Sequence, residues 1–399
     1  MKVLYVHNEY AKTSGEEHAA GELVALLKEH GHEVRWFTRN SAEVADSVFG
    51  KIKALAAGIY NPFSARSIAA LMDEYKPDVV QVQNLYPLLS SSIFAPIKKR
   101  GIPVVMRCPN YRLFCPQGLA LDPDGKICHR CWGGHEINCI RHNCMSAWNK
   151  SIGYALRNAF GRISGNIING VDVFIVQSQF QKQKFIEQGI PAERIGILAG
   201  ISPKLELTKP DETGCWVSFV GRVSAEKGIY EFIEAARQNP DIPFKVAGNL
   251  DSNFRMPDNC PSNIEFVGFK KNIDLDEFYI NSRIIVVPSK WYEGFPNVIV
   301  RGMLHRKPII TNNIGAMESI VDSNQNGLLV KPGDSLGLSR AIKGLYENID
   351  TCKNFGFNGY MKATTLYSRE NIYKDLMAIY HQAEGVAYKT KKSRGSSLK

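Results

Sequence analysis

Two short stretches hold the residues best suited to chemistry. In SKWYEGFPNVIVRGM, Ser289 to Met303, a lone carboxylate, Glu293, follows an apolar run and precedes a helical pattern. The run RIIVVPSKWY reads as a buried strand ending at Pro288 and PNVIVRGML as the start of a helix, which puts Glu293 on a strand-to-helix loop. The first N–H groups of such a helix have no partner inside it and favour anions. An anion-favouring wall beside a hydrogen-bond acceptor suits a sugar diphosphate, with phosphates at the helix end and hydroxyls on the carboxylate. The plainer alternative is that Glu293 only caps backbone donors.

In FVGRVSAEKGIYEFIEAA a strand ends at Gly221, and Ile229, Phe232, Ile233 and Ala236 give the next helix a core-facing stripe. Arg222 and Lys227 stand on the loop between them, at the carboxyl edge where open α/β sheets bind ligands. Two fixed cations there suit a departing diphosphate, whose developing charge they would stabilise. Ordinary surface charge is the competing reading for either one alone. A third constellation is CPQGLALDPDGKICHRCWGGHEINCIRHNC, which holds Cys115, Cys128, Cys131, Cys139 and Cys144. The C-x-x-C at 128–131 with two cysteines downstream resembles structural zinc spacing. Free, partly buried thiols are the alternative, because the later pair is spaced x4 and five cysteines exceed four ligands. Nucleic acid is not expected as a partner, since this insert lacks interleaved basic and aromatic stripes.

The elements that must position these residues alternate in type from end to end. Strands are predicted at KVLYVH, EVRWFT, DVVQV, PVVMR and VFIVQ, and again at WVSFVG, FKVAG, IEFVG, IIVVP, PIITN and GLLV, with helices between most of them. Two such series predict an α/β protein of two Rossmann-like, doubly wound parallel-sheet domains facing a cleft. They are separated by the turn formers of LTKPDETG, Thr208 to Gly214. The first helix has a capping box, Ser14 with Glu17, a stripe of Leu23, Leu26 and Leu27, and a stop at Gly31. Gly15 then lies at the positive end of a helix dipole, a weak phosphate-binding signal. Neither G-x-G-x-x-G after the first strand nor G-x-x-x-x-G-K-[ST] is present, against a nicotinamide enzyme and a P-loop ATPase.

The chain has 399 residues, long enough for two cores, and a formal net charge of +10. That charge suits an anionic membrane surface, a nucleic acid or a phosphate-bearing substrate, and does not choose among them. No apolar run approaches the ~18 residues of a membrane span. The protein is expected to be cytoplasmic, possible contact with the inner face of the membrane resting on three features. These are the stripe Val44, Val48, Ile52, Leu55 and Ile59, which fits an ordinary packed helix equally, the cluster Lys98, Lys99 and Arg100, and the tail YKTKKSRGSSLK, expected to be disordered.

GRVSAEKG, PSKWYEGFPNVIV, PIITNNIGAMESIV and NGLLVKPGD, in this order and spacing, resemble the C-terminal domain of glycosyltransferase family 4, retaining enzymes of the GT-B fold. EEHAAGELVALLKEHGHEVRWFTRN and KPDVVQVQNLYPLLS extend the resemblance over nearly the whole chain. It implies an acceptor-binding domain over 1–207 with a cysteine-rich insert at 108–144, a nucleotide-sugar domain over 208–368, a helix over 369–386 packing back on the first domain, and a disordered tail over 387–399. It also implies that Arg222 and Lys227 hold the nucleotide diphosphate and that Glu293 is the catalytic residue, binding donor-sugar hydroxyls. The amides of Phe295, Asn297 and Val298 would lie nearby, and Gly248 and Phe269 would line the nucleobase pocket. The chain departs from the pattern at Arg301, where a second glutamate is usual and which would add a cation beside the nucleotide. Pro109, Gln81 and Gln83 replace frequent histidines. The implied activity is retaining transfer of a hexosyl group from a nucleotide-diphosphate sugar to a growing, lipid-linked glycan of a surface polysaccharide. No catalytic metal is expected, since the motif supplies Arg and Lys instead of paired aspartates. A catalytically weak relative that binds nucleotide or glycan as an assembly partner is the second reading.

Overall fold

The computed structural model describes residues 1–10, 15–43, 48–209 and 213–396. Two compact units are present, one comprising residues 1–123, 128–199 and 372–399 and the other 124–127 and 200–371. Ser14 and Val44 lie outside the described residues, so the capping box and the start of the 44–59 stripe are not placed.

The first unit is built on six strands: β1 (Lys2–Glu9), β2 (Glu33–Asn40), β3 (Val79–Asn84), β4 (Val104–Arg107), β5 (Val173–Val176) and β6 (Ile195–Ile197). They pair in the order β2-β1-β3-β4-β5-β6, every pairing parallel. Val3 to Val6 of β1 and all of β3, β4 and β5 are buried, as strands covered on both faces must be. The edge strand β2 has no buried residue, and only β1 pairs with it. Leu23, Leu26 and Leu27 are buried as predicted, and Gly31, at φ +78°, takes the left-handed turn after the helix Gly15–Glu29. β6, three residues long, was not predicted, being too short for a periodic signal.

The second unit has β7 (Trp216–Val220), β8 (Phe244–Ala247), β9 (Ile264–Gly268), β10 (Ser282–Val287), β11 (Ile309–Asn312) and β12 (Gly327–Val330). Their order is β12-β11-β10-β7-β8-β9, again all parallel. The order reverses between β7 and β10, so the loops after these two strands diverge to opposite faces and leave a crevice at their carboxyl ends. Ile229, Phe232, Ile233 and Ala236 of the helix Ile229–Arg237 are buried in a core that also holds Val217, Phe219, Val246 and Ile284.

Two boundaries differ from those read in the sequence. The second unit begins at Gly200, ahead of the turn-rich 208–214 segment, because the chain from 200 on already packs within it. The last helix runs Arg369–Ser396, through most of the stretch expected to be disordered. Its first half is fixed by buried Ile372, Leu376, Ile379, Tyr380 and Ala383 of the first unit, and extending a formed helix adds one hydrogen bond per residue. Lysine and arginine are also good helix formers and suit a helix C-terminus.

Gly228 shows how the loops are fitted together. At φ +79° it starts the helix Ile229–Arg237, and a Cβ there would stand 2.0 Å from the Pro288 carbonyl oxygen. The loop after β7 is thereby pressed against the end of β10. Gly228→Ala is expected to destabilise the protein by about 1–3 kcal/mol, from left-handed strain and the backbone clash. Urea denaturation checks this; an unchanged midpoint would show that the two loops are not in fixed contact.

Candidate functional site

The loops after β7 and β10 bring Lys227 and Glu293 together. Lys227 Nζ lies 2.6 Å from Glu293 Oε1, so residues expected to serve phosphate and sugar separately form one ion pair. The same oxygen accepts from Ser289 Oγ at 2.7 Å and Trp291 Nε1 at 3.0 Å. Among the described residues Glu293 Oε2 receives no hydrogen bond. The side chain is 8% exposed, so its charge is held in place by three donors and solvated little. Lys227 Nζ also lies 5.3 Å from the centre of the Trp291 ring, a cation–π distance. The Lys290 amide donates to the Glu226 carbonyl at 2.8 Å, and Asn312 Nδ2 to the carbonyls of Pro288 and Ser289. These bonds tie the loop after β10 to its neighbours on both sides.

The helix Asn297–Leu304 begins four residues beyond Glu293, with Pro296 at its cap position and no side chain capping it. Among the described residues its first amides, Asn297 and Val298, have no acceptor, the local condition for an anion site. Phe295 packs edge-on against Tyr367, with ring centres 5.1 Å apart. Gly248 follows β8 with φ +159°, where a Cβ would meet the Gly221 carbonyl oxygen at 1.7 Å, so the segments after β7 and β8 approach as only glycine allows. Phe269, after β9, is 64% exposed. Gly15 is the first residue of a helix in the other unit.

Arg222 and Arg301, like Lys227, are ion-paired. Arg222 is taken up by Glu226 and, at 3.2 Å, by Asp251. Arg301 bonds Asp276 Oδ1 through Nη2 at 2.6 Å and Nε at 3.0 Å. His305 Nε2 lies 2.9 Å from the same oxygen, and Oδ2 accepts from the amides of Glu206 and Leu207. The extra cation expected at 301 is therefore matched by a carboxylate the sequence reading had not paired with it. Asp276 is fully buried. Burial alone would raise its pKa, but the Arg301 guanidinium, the Glu206 amide and His305 outweigh this and hold it below the usual carboxylate range.

The cysteine-rich insert gathers Cys115, Cys128, Cys131, Cys139 and Cys144 within electrostatic range of one another. Among the described residues no group of three Cys, His, Asp or Glu side chains is arranged to hold a metal ion. Cys131, Cys139 and Ala155 form a small apolar cluster with Ile140 and Cys144 against it. Burial pushes the Cys131 thiol up to about 12 and those of Cys115, Cys139 and Cys144 up as well, which favours their protonated form as small hydrophobes.

The basic cluster expected at a membrane is also partly spent: Lys98 pairs with Asp172 at 2.6 Å and Arg100 with Asp73 at 2.6 Å. A surface the sequence reading missed is the helix Trp148–Ile163. It buries Ser151, Arg157 and Asn158 and exposes Trp148, Ile152, Leu156, Phe160 and Ile163. Its apolar residues recur every three or four positions, but that signal does not reveal which face points outward.

Residues 14–199 match the family model for a glycosyl transferase 4-like domain and residues 207–362 the model for glycosyl transferases group 1. The chain belongs to this family of GT-B glycosyltransferases. It is 27% identical over 266 residues to an uncharacterized 42.6 kDa protein in the cps region of Klebsiella pneumoniae, covering 66% of this chain and 64% of that protein. It is 26% identical over 174 residues to the capsular polysaccharide biosynthesis glycosyltransferase CapM of Staphylococcus aureus, covering 41% and 45%. The chain thus spans about two thirds or less of these relatives. Among solved structures, Anabaena HepE in complex with UDP superposes with a TM-score of 0.65 at 17% identity, covering 95% of this chain and 99% of that one. A glycosyltransferase from Rickettsia africae gives 0.68 at 17% identity, covering 96% and 98%. These likenesses establish the fold.

Removing the Asp276 carboxylate would leave Arg301 with an uncompensated charge in a nearly closed site. Asp276→Ala is expected to cost about 3–5 kcal/mol of stability, read by chemical denaturation. Because the Asp276 pKa is depressed on folding, its contribution is complete above the ordinary aspartate pKa of ~3.9 and is lost as pH falls through the lower, folded value. The Asp276 part of the difference should therefore be lost only below that range, and a smaller change at higher pH would report His305, whose protonation the Asp276 carboxylate favours. A difference already abolished near neutrality would mean another group carries the effect.

Proposed function

We propose that this chain is a retaining glycosyltransferase that moves a hexosyl group from a nucleotide-diphosphate sugar to a growing, lipid-linked glycan of a surface polysaccharide. The observation that carries the reading is the Lys227–Glu293 pair at the strand-order reversal of a group 1 domain, beside an uncapped helix end. In this reading the amides of Asn297 and Val298 and the Lys227 ammonium take the diphosphate, and Glu293 Oε2 accepts a donor-sugar hydroxyl. As the bond from the sugar to the diphosphate breaks, negative charge grows on the phosphate next to Lys227 and positive charge on the sugar near Glu293. The acceptor hydroxyl attacks from the face the diphosphate is leaving and gives its proton to the departing phosphate. No enzyme nucleophile is required. The Klebsiella and Staphylococcus relatives point to capsule-type products, and the HepE complexes make UDP-sugars the first donors to try.

Glu293→Gln keeps the shape and one acceptor but loses the charge. It is expected to leave nucleoside-diphosphate affinity within a few-fold of wild type while lowering transfer by about a hundredfold, a typical effect of removing one transition-state electrostatic partner. A donor screen over UDP-, GDP- and ADP-sugars, followed by single-turnover transfer, checks this. Equal nonzero rates in the two proteins would remove Glu293 from the chemistry, and no wild-type turnover with a donor shown to bind would favour the binding-only relative.

Work at the inner face of a membrane is part of the same proposal. No helix among the described residues is long and apolar enough to cross a bilayer. Support for surface attachment comes from the exposed stripe of the helix Trp148–Ile163, with Leu55, Tyr60 and Phe63 also exposed in the same unit. Ile152→Ser with Leu156→Ser, both on the exposed face, should lower partitioning onto anionic vesicles about tenfold or more, since each residue buries on the order of 1.5–3 kcal/mol of apolar surface. Co-sedimentation reads this, and unchanged partitioning with an unchanged melting temperature would rule the stripe out as the contact.

A further inference from the structure

The first unit contains a cavity of about 150 Å³ at the carboxyl ends of β3 and β4. Leu85, Met106, Leu113 and Phe114 give it largely apolar walls. Into this surface Arg107, the last residue of β4, brings a guanidinium that is 4% exposed. Among the described residues its Nε and Nη1 are buried and have no hydrogen-bond partner. A buried guanidinium with unfilled donors is costly, and native proteins rarely keep one.

The other unmatched buried atoms of the lining are donors as well: Gln83 Nε2 and Arg112 Nε. The Gln83 orientation follows from a chain of hydrogen bonds behind it. The Tyr380 hydroxyl donates to Gln81 Oε1, Gln81 Nε2 to the Tyr5 hydroxyl at 3.2 Å, and that hydroxyl to Gln83 Oε1 at 3.1 Å. With each acceptor filled, Gln83 is left with its N–H₂ to give. Arg112 spends Nη1 on the Tyr10 hydroxyl and Asn84 Oδ1. Of the other charges lining the cavity, Arg162 and Glu136 are paired at 2.8 Å and Glu16 accepts from the Tyr10 hydroxyl at 2.6 Å. Arg107 and Arg112 face one further carboxylate in the lining, Glu16, whose charge acts on both, so the lining is net positive. What the site lacks is acceptors for these donors and a second negative charge.

We propose that this cavity binds a phosphate group, with Arg107 and Gln83 as its main ligands and Arg112 beside them, and that the phosphate belongs to the acceptor. Three side chains from β3, β4 and the following loop each offer donors, and a phosphate terminus has three strong acceptor oxygens to meet them where a carboxylate has two. Assigning the phosphate to the acceptor rests on the transferase reading; the anion site itself stands without it. The apolar walls keep the local dielectric low, which strengthens each contact once the anion is in place.

The test is calorimetry and thermal melting of the full chain with inorganic phosphate, in the presence of excess UDP, for wild type, Arg107→Met and Arg107→Lys. Wild type should bind phosphate and melt higher with it. Arg107→Met should weaken phosphate binding by about tenfold or more, since a charge-assisted contact is lost. Without phosphate it should melt at or above wild type, because an uncompensated buried charge has been removed. Arg107→Lys, which keeps the charge, should retain part of the affinity. Geranyl phosphate binding more tightly than inorganic phosphate would place the group on a lipid carrier, and equal affinity would place it on a soluble or glycan phosphate; both support the site. Failure of wild type to bind phosphate, equal binding by Arg107→Met, tighter binding of glucuronate than of phosphate, or a ligand-free Arg107→Met that melts well below wild type or does not fold would each overturn it. UDP titrated separately distinguishes the two readings, because loss of UDP binding with Arg107-dependent phosphate binding intact would sink the nucleotide site and leave this one standing.

Discussion

Everything at the candidate site follows from the constraint that parallel strands can be joined only by crossovers. In the second unit the chain leaves β7 toward one side of the sheet and β10 toward the other, so the adjacent carboxyl ends of these strands are the one place where two loops from distant sequence open side by side. Lys227 and Glu293, 66 residues apart, meet there at 2.6 Å. Gly228 is pressed against Pro288 for the same reason, and the Lys290 amide reaches the Glu226 carbonyl. Moving either strand by one place in the sheet would separate the pair.

Charge is handled in opposite ways in the two units. In the second, Asp276 is buried and every one of its oxygens is occupied, by Arg301, His305 and two backbone amides, so the cluster is closed and serves the fold. In the first, Arg107 is also buried and, among the described residues, its Nε and Nη1 have no hydrogen-bond partner. The contrast separates a structural charge from one that awaits a ligand. Glu293 lies between these cases: one oxygen carries three donors and the other carries none, which fixes the side chain while leaving it able to accept.

Most of the fold was legible in the sequence because its signals are local. Eleven of the strands were predicted, and the stripes at Leu23, Leu26 and Leu27 and at Ile229, Phe232, Ile233 and Ala236 proved buried, since apolar periodicity reports directly on which face meets a sheet. The site loops were legible for a related reason, as a strand end, a glycine and a helix start identify where backbone amides go unpaired. What the sequence does not show is pairing. Arg222, Arg301, Lys98 and Arg100 each have a carboxylate partner in the folded chain that no local pattern identifies. Likewise the spacing of the five cysteines fixes neither their mutual geometry nor their burial.

By itself the sequence determined the alternation of elements, the two-series organisation and the loops on which Lys227 and Glu293 lie, because propensity, periodicity and turn chemistry act over a few residues. Only the tertiary structure decided which charges cancel and which do not, which face of the helix Trp148–Ile163 points outward, and that Gln81 and Gln83 are locked between Tyr380 and Tyr5 so as to leave a donor beside Arg107. These outcomes depend on contacts between residues tens to hundreds of positions apart. Whether a buried charge is neutralised depends on distance and solvent access in the folded chain, which no local pattern encodes.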